Sequence, residues 1–136
     1  MVSWNNLDTL SSYKELADVK PACLTEVMSG DNGAERVKNY SVPMAAGLSY
    51  NYASKQVNEN VLDALEKLAD EAQLADKFKA LYNGEVVNTG EKRLVLHHMT
   101  RGQLGDAVEA DGVDKRTFYK TQQERIAEFA NKVHNG

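Results

Sequence analysis

The sequence is poor in the residues that build disulfide and metal frameworks. It has one cysteine, Cys23, and three histidines among 136 residues. A single cysteine excludes a disulfide within the chain and is typical of a reducing compartment. His97 and His98 are adjacent, so their side chains point apart on a helix or a strand, and no HExxH or CxxC pattern accompanies them. We therefore predict no metal site and no bound cofactor.

Long apolar runs and an excess of positive charge are also lacking. No segment approaches the roughly 18 apolar residues that cross a bilayer, and MVSWNNLDTL lacks the pattern of a signal peptide. Lys and Arg total 16 against 20 Asp and Glu, a net charge of −4 that argues against nucleic-acid binding. We expect a cytoplasmic protein that binds neither membrane nor nucleic acid, with a length that suits one domain with a modest core.

Apolar residues recur at helical spacing along most of the chain. The first such segment begins near Leu7 and should end before Pro21, because a residue that precedes proline disfavours the α region. Residues 58–72 give the clearest helix, with Asn58 as its N-cap. A further helix should end at Asn83-Gly84, where glycine suits the left-handed C-terminal position. The last helical stripe consists of Phe118, Gln122, Ile126, Phe129 and Val133.

Shorter elements lie between these helices. PACLTEVMSG predicts a short helix with Pro21 in its first turn, Gly30 as its stop and Cys23 as a partly buried apolar residue. DNGAERVKNY predicts another helix, GLSYNYAS an extended segment, and the Asp111-Gly112 pair a small hairpin. The predicted fold class is mainly α: a small helical subdomain with at most a short β-hairpin.

The remaining chemical patterns are weak. Gly102 and Gly105 form a GxxG arrangement without the strand and helix of a phosphate loop, which predicts a turn. Carboxylates lie on the polar faces of helices, and a GxSxG nucleophile is absent. Arg93 and Arg101 are spaced to flank an anion, but we favour pairing with neighbouring carboxylates. The sequence therefore predicts no catalytic residue within this chain.

One segment resembles a known signature. Residues 84–101 read GEVVNTGEKRLVLHHMTR, which is similar to the G-E-K-I-N-x-T-E-x-R-A-V-L-H-x-A-L-R signature of the glucose-6-phosphate isomerase family. The identical positions are Gly84, Glu85, Asn88, Glu91, Arg93, Val95, Leu96, His97 and Arg101. The departures are Val86 for lysine, Gly90 for threonine, Leu94 and Met99 for alanine, and Thr100 for leucine.

Three flanking segments resemble the same family in the same order: NYASKQVNENVL, ADGVD and ERIAEFANKVHNG. The resemblance spans about Tyr50 to Gly136, and before Tyr50 it rests only on a similar helical pattern. It implies that residues 1–136 form the amino-terminal helical segment of a longer enzyme with two αβα sugar-isomerase domains.

The resemblance also implies a function. The family interconverts glucose 6-phosphate and fructose 6-phosphate through ring opening and a cis-enediol, in glycolysis and gluconeogenesis. Its catalytic glutamate, histidine, lysine and arginine lie outside the segment that this chain resembles, and its active site is shared across a homodimer. We therefore expect an isolated chain without activity, whose partners are the sugar-isomerase domains of the same enzyme. The motif residues would have a structural role, with Glu91 and Arg93 as its polar ties.

Two other classes stay open at this stage. A stand-alone helical interaction module would use its apolar stripes to bind a partner helix. It differs from an isomerase segment in predicting a gene that stops directly after Gly136. A small RNA-binding domain is disfavoured by the net charge, and salt-dependent RNA binding would be its signature.

Overall fold

The computed structural model describes residues 2–102 and 105–136 and confirms a mainly α chain that is 56% helical. The helices are α1 (Ser11–Asp18), α2 (Leu24–Val27), α3 (Gly30–Asn39), α4 (Glu59–Glu71), α5 (Leu74–Tyr82) and α6 (Lys115–Asn135). Short strands form three antiparallel pairs: β1 (Ser41–Pro43) with β2 (Ser49–Asn51), β3 (Val86–Asn88) with β4 (Arg93–Leu94), and β5 (Glu109–Ala110) with β6 (Val113–Asp114). Among the helices described, none is long and apolar enough to cross a membrane.

The chain divides into two compact units. One unit consists of Asn5–Ala72, and the other of Gln73–Gly136 together with the residues up to Trp4. Each has few large buried side chains: the buried apolar residues are Ala22, Ala53, Val61, Ala64, Ala72, Ala80, Met99 and Val108. Small cores leave much of the stability of each unit to polar contacts that fix the backbone.

In the Asn5–Ala72 unit, α1 packs on α4 and takes its N-terminal cap from it. The residue before α1 is Leu10, which has no side-chain oxygen to accept the first free N–H groups of the helix. The carboxylate of Glu71, at the end of α4, accepts hydrogen bonds from the backbone N–H groups of Ser11 at 3.3 Å and Ser12 at 2.8 Å. It also accepts from both serine hydroxyls. A side chain distant in sequence thus replaces the missing cap.

The irregular segment before α4 is held by Arg36, which projects from α3 and is buried. Its Nε–H donates to the carbonyl oxygen of Ala53 at 2.8 Å. Its Nη2 donates to the carbonyl oxygens of Lys55 at 3.1 Å and Val57 at 2.8 Å. The guanidinium carbon also lies 3.9 Å from the centre of the Tyr40 ring. One planar group with several donors therefore satisfies three carbonyls of a non-repetitive loop.

Several predictions made from local sequence are confirmed. Asn58 precedes α4, and its side-chain oxygen accepts from the Val61 N–H at 3.0 Å. Asp111 and Gly112 connect β5 to β6 with φ values of 55° and 71°, as the predicted hairpin requires. The GLSYNYAS segment does contain an extended strand, β2. The turn predicted at Gly102–Gly105 includes residues 103 and 104, which lie outside the described residues.

The predictions for α2 are wrong in three respects. The helix begins at Leu24, so Pro21 precedes it rather than lying in its first turn. Gly30 does not stop it, because the helix ends at Val27 and Gly30, with φ of 60°, is the first residue of α3. Cys23 is exposed instead of partly buried. With four residues, α2 makes little more than one helical turn.

The cap on α1 makes the stability of this unit depend on pH. Hydrogen bonds from the side chain and backbone of Ser12, and then from Ser11, lower the pKa of Glu71 from 4.5 to about 2. A lowered folded-state pKa contributes stability above pH 4.5 that is lost as the pH falls towards 2. We expect Glu71→Gln to reduce the urea midpoint at pH 7 and to flatten its decline in acid. Urea titrations from pH 2 to 7 measure both effects, with Glu66→Gln on the same helix as control.

The Arg36 clamp gives a second prediction. Arg36→Lys keeps the positive charge, but an ammonium group cannot reach three separate carbonyls in one plane. We expect it to lower the free energy of unfolding by about 2–4 kcal/mol. The exposed exchange Lys38→Arg on the same helix should stay within about 0.5 kcal/mol. Equal denaturation midpoints for R36K and the unmodified chain would contradict the proposed role of the clamp.

Candidate functional site

The signature-like segment 84–101 lies within the Gln73–Gly136 unit. It begins at the end of α5, forms the β3–β4 hairpin and ends in a 3-10 turn, His97–Thr100. Six polar residues that match the signature are exposed: Glu85, Asn88, Glu91, Arg93, His97 and Arg101. The structure therefore brings the backbone of the segment together but does not gather its polar side chains into one pocket.

Gly84 ends α5 in a left-handed conformation. Its φ is 74°, its N–H donates to the Leu81 carbonyl at 3.1 Å, and the Glu85 N–H donates to the Ala80 carbonyl at 2.9 Å. This pair of bonds is the Schellman arrangement, which favours glycine. A Cβ atom at this position would lie 3.0 Å from Cγ2 of Val108 and nearer still to Cγ1. The first glycine of the motif is thus required by both conformation and space.

The β3–β4 hairpin explains two more motif residues. Asn88 ends β3, and its side-chain oxygen accepts from the Glu91 N–H at 3.1 Å, which closes the connecting loop. Arg93 begins β4, and its Nη1 lies 3.6 Å from a carboxylate oxygen of Glu91. Both members of this ion pair are mostly exposed, so it contributes little to the stability of the chain. The side chains of Glu91 and Arg93 are thus accessible on the surface of their unit.

The two adjacent histidines have different surroundings. His97 is exposed, and its carbonyl accepts from the Thr100 hydroxyl at 2.8 Å. His98 is half-buried, its ring stacks on Tyr82 at 4.7 Å, and its Nε2 lies 3.1 Å from the Tyr82 carbonyl oxygen. Since a carbonyl only accepts, Nε2 of His98 carries the proton. His98 is therefore hydrogen-bonded within the fold through Nε2.

A buried arginine converges on the same carbonyl. Arg116, in the first turn of α6, donates from Nη2 to the Tyr82 oxygen at 2.8 Å and from Nε to the Asp106 oxygen. The burial of Arg116 was not predicted from the sequence, because an arginine inside a helical pattern is normally solvated. Tyr82 O therefore ties the end of α5, the 3-10 turn at His98 and the start of α6 to one point.

Asp114 completes this junction as the N-cap of α6. Its carboxylate accepts from the Arg116 N–H at 3.0 Å, the Thr117 N–H and the Val108 N–H at 3.3 Å, and the Thr117 hydroxyl at 2.5 Å. The hydroxyl of Thr117, followed by these backbone donors, lowers the pKa of Asp114. The cap thereby holds Val108 against Gly84. An aspartate just before a helical pattern is a cap signal that was available in the sequence.

These contacts position backbone rather than perform chemistry. Within residues 2–102 and 105–136, no three His, Cys, Asp or Glu side chains come together to hold a metal. Nδ1 of His98 and Nη1 of Arg116 are buried without a hydrogen-bond partner among the described residues. Another nitrogen of each side chain, Nε2 of His98 and Nη2 of Arg116, is hydrogen-bonded to the Tyr82 carbonyl. Every side-chain hydrogen bond described at the junction is made to backbone or to a cap.

A groove in the Asn5–Ala72 unit is large enough to be considered as a site for a sugar phosphate. It has a volume of about 540 Å³, and its lining residues are Val42, Tyr50, Tyr52, Lys55, Val57, Leu62 and Leu65. A phosphate needs several convergent donors, whereas this lining is almost entirely apolar with a single cation. The groove does not fit the substrate that the sequence resemblance implies.

Comparison with known proteins decides the family. The phosphoglucose isomerase family model matches residues 51–136. The glucose-6-phosphate isomerase of Treponema denticola is 44% identical over 99% of this chain. Those of Borreliella afzelii and Treponema pallidum are 41% and 43% identical over 100% and 99% of it.

The chain belongs to the phosphoglucose isomerase family. The family predicted from the 84–101 motif is confirmed, and the likeness to these relatives extends through the segment before Tyr50. The chain covers 27%, 25% and 26% of the three relatives, about a quarter of their length. The region that matches the family model includes the whole Gly84–Arg101 segment described above.

Three departures from the phosphoglucose isomerase signature are apolar residues, and two of them are paired. Val86 and Leu94, which replace a lysine and an alanine, are direct cross-strand partners in the β3–β4 hairpin. Met99, which replaces an alanine, is completely buried. Three departures therefore add apolar surface where side chains pack together, which stabilises the hairpin and the turn locally.

The junction at Gly84 yields a matched pair of variants. Gly84→Ala should lower the free energy of unfolding by about 2–4 kcal/mol, because positive φ and overlap with Val108 both act against a Cβ. Gly112→Ala has nearly the same φ, 71°, and open space around it, so it should cost only about 1–2 kcal/mol. Urea denaturation measures both.

A third variant separates the two causes. A Val108→Ala background removes Cγ1 and Cγ2, the two atoms nearest the new Cβ, and leaves only the Cβ atom of residue 108 close to it, at 3.2 Å. Gly84→Ala should therefore cost clearly less there than in the unmodified chain and approach the cost of Gly112→Ala. An unchanged cost of Gly84→Ala in that background would show that overlap with Val108 does not matter.

Proposed function

We propose that this chain is a structural, non-catalytic part of a glucose-6-phosphate isomerase that interconverts glucose 6-phosphate and fructose 6-phosphate. The observation that carries the proposal is 44% identity to the Treponema denticola enzyme over 99% of the chain. Identity at this level over a whole segment supports a shared fold and a shared place in the enzyme.

The role of the segment is to present fixed backbone to the sugar-isomerase domains of the same polypeptide. The site supports this role because Gly84 and Asn88, which match the signature, end α5 and close the β3–β4 loop. The exposed side chains of Glu91 and Arg93 extend from this hairpin. We infer that Glu91 and Arg93 are the polar ties to those domains. Ring opening and proton transfer then belong to groups outside this chain.

The proposal includes the wider setting of the enzyme. The intact isomerase is a homodimer in the cytoplasm, and its substrate is a sugar phosphate that this segment does not bind alone. The almost entirely apolar groove supports the last point, because it offers a phosphate only Lys55. The single cysteine, exposed at Cys23, is compatible with a reducing compartment.

A stand-alone interaction module remains the second candidate. The observation in its favour is a set of large apolar side chains exposed along α6, including Phe129 at 70%. Such residues serve a partner protein as well as a neighbouring domain. The two functions differ in whether the segment works inside an isomerase.

A chimera tests the proposal. The aligned segment of the Treponema denticola enzyme is replaced by this chain, and conversion of fructose 6-phosphate to glucose 6-phosphate is followed with a coupled dehydrogenase. We expect the chimera to turn over at a rate within about tenfold of the parent enzyme, a barrier difference of at most about 1.4 kcal/mol. The purified 136-residue chain should give no turnover above the blank.

Two outcomes would overturn it. Turnover by the isolated chain would place catalytic groups within it. A chimera that folds as the parent does, with the same melting temperature, but lacks activity would show that the segment does not belong in an isomerase.

A further inference from the structure

One face of helix α6 is hydrogen-bonded to its own unit, and another face is exposed. Two residues attach α6 to the rest of its unit: the buried Arg116 binds the Tyr82 carbonyl, and the exposed Gln123 donates from Nε2 to the Thr100 carbonyl at 2.5 Å. These two residues are seven apart and so lie on the same side of a helix. The helix is therefore fixed in rotation about its axis.

That rotation leaves an apolar stripe exposed. We define the α6 stripe as Ile126, Phe129 and Val133, whose exposed fractions are 67%, 70% and 64%. At about 100° per residue, the stripe lies roughly a quarter turn away from the side that carries Gln123. Three large side chains on successive turns of one helix form a continuous apolar face rather than isolated exposures.

We propose that the α6 stripe docks on an apolar surface of the remainder of the same polypeptide in the full-length isomerase. The inference rests on the proposed function, because it takes the segment to be part of such an enzyme. The relatives have about three quarters of their length outside the aligned region, so a covering surface is available within one chain.

The area of the stripe argues for an intramolecular partner over a second copy. A large aromatic side chain buries roughly 150–250 Å². Even if all three side chains of the stripe buried that much, they would provide roughly 450–750 Å² per copy, below the approximately 800 Å² per partner of a standard stable interface. Docking within one polypeptide does not incur the loss of free translation that a dimer does, so a stripe of this size is sufficient.

The test is made in the full-length chimera described above. Phe129→Ser removes the largest side chain of the stripe, and phenylalanine and serine have similar helix propensity. We expect its melting temperature to fall by at least about 3 °C if the stripe is buried. Asn131→Ser, an exposed site on the same helix with a matched propensity, should change it by less than about 1 °C.

A second variant removes less side chain, and the sign of its change in melting temperature depends on whether the residue is buried. Alanine is the better helix former, so Val133→Ala should leave the melting temperature unchanged or raised where residue 133 is exposed, and lower it where Val133 is buried. We expect a lower melting temperature. A Phe129→Ser chimera that melts at the same temperature as the unmodified chimera, or a Val133→Ala chimera that melts at the same or a higher temperature, overturns the inference.

Size-exclusion chromatography and the isomerase assay complete the design. A shift of the Phe129→Ser chimera to a smaller assembly would make the stripe a subunit interface and would also overturn the inference. An unmodified chimera that folds without activity would remove the proposed function, while the comparison of melting temperatures would still decide whether the stripe is covered.

Discussion

Both units depend on the same interaction, a buried guanidinium that donates to backbone carbonyls of an irregular segment. Arg36 satisfies the carbonyls of Ala53, Lys55 and Val57, and Arg116 satisfies those of Tyr82 and Asp106. Loop carbonyls without a partner are costly to bury, and the short strand pairs described in the two units do not include these five residues. A planar group with five donors meets that need from a single position, which a lysine cannot do.

The reliance on polar contacts follows from how little the chain buries. Its buried apolar residues are mostly alanines, and Met99 is the largest side chain that is completely enclosed among those described. Helices with such small contact faces gain limited stability from packing, so caps and clamps decide where they begin and end. Glu71, which supplies the cap that Leu10 cannot, is the clearest case.

Periodicity and cap chemistry predicted the long helices, the Asn58 cap and the Asp111-Gly112 hairpin, because those signals are local in sequence. The roles of Arg36, Glu71 and Arg116 were not predicted, because each depends on a partner brought close only by folding. The β3–β4 hairpin is local but was also missed, because residues 89–92 between its strands form a longer loop than a two-residue turn. Glu71 contacts Ser11 and Ser12 across about sixty positions, and no spacing rule connects them. The candidate site behaved similarly: the motif identified the family, while the geometry at Tyr82 came from the structure alone.

The nature of the motif residues explains how a segment without catalytic groups can carry a specific signature. Gly84 and Asn88 are required by backbone geometry, at a helix end and at a hairpin loop. Such positions tolerate few substitutes, since a Cβ at Gly84 would overlap Val108 and a longer side chain at Asn88 would not close the loop. Hydrophobic positions such as Val86 and Leu94 accept change more readily, provided that both members of a cross-strand pair change together. A signature built in this way records the constraints of a scaffold, and three of its departures, Val86, Leu94 and Met99, fall at apolar positions where packing rather than conformation is at stake.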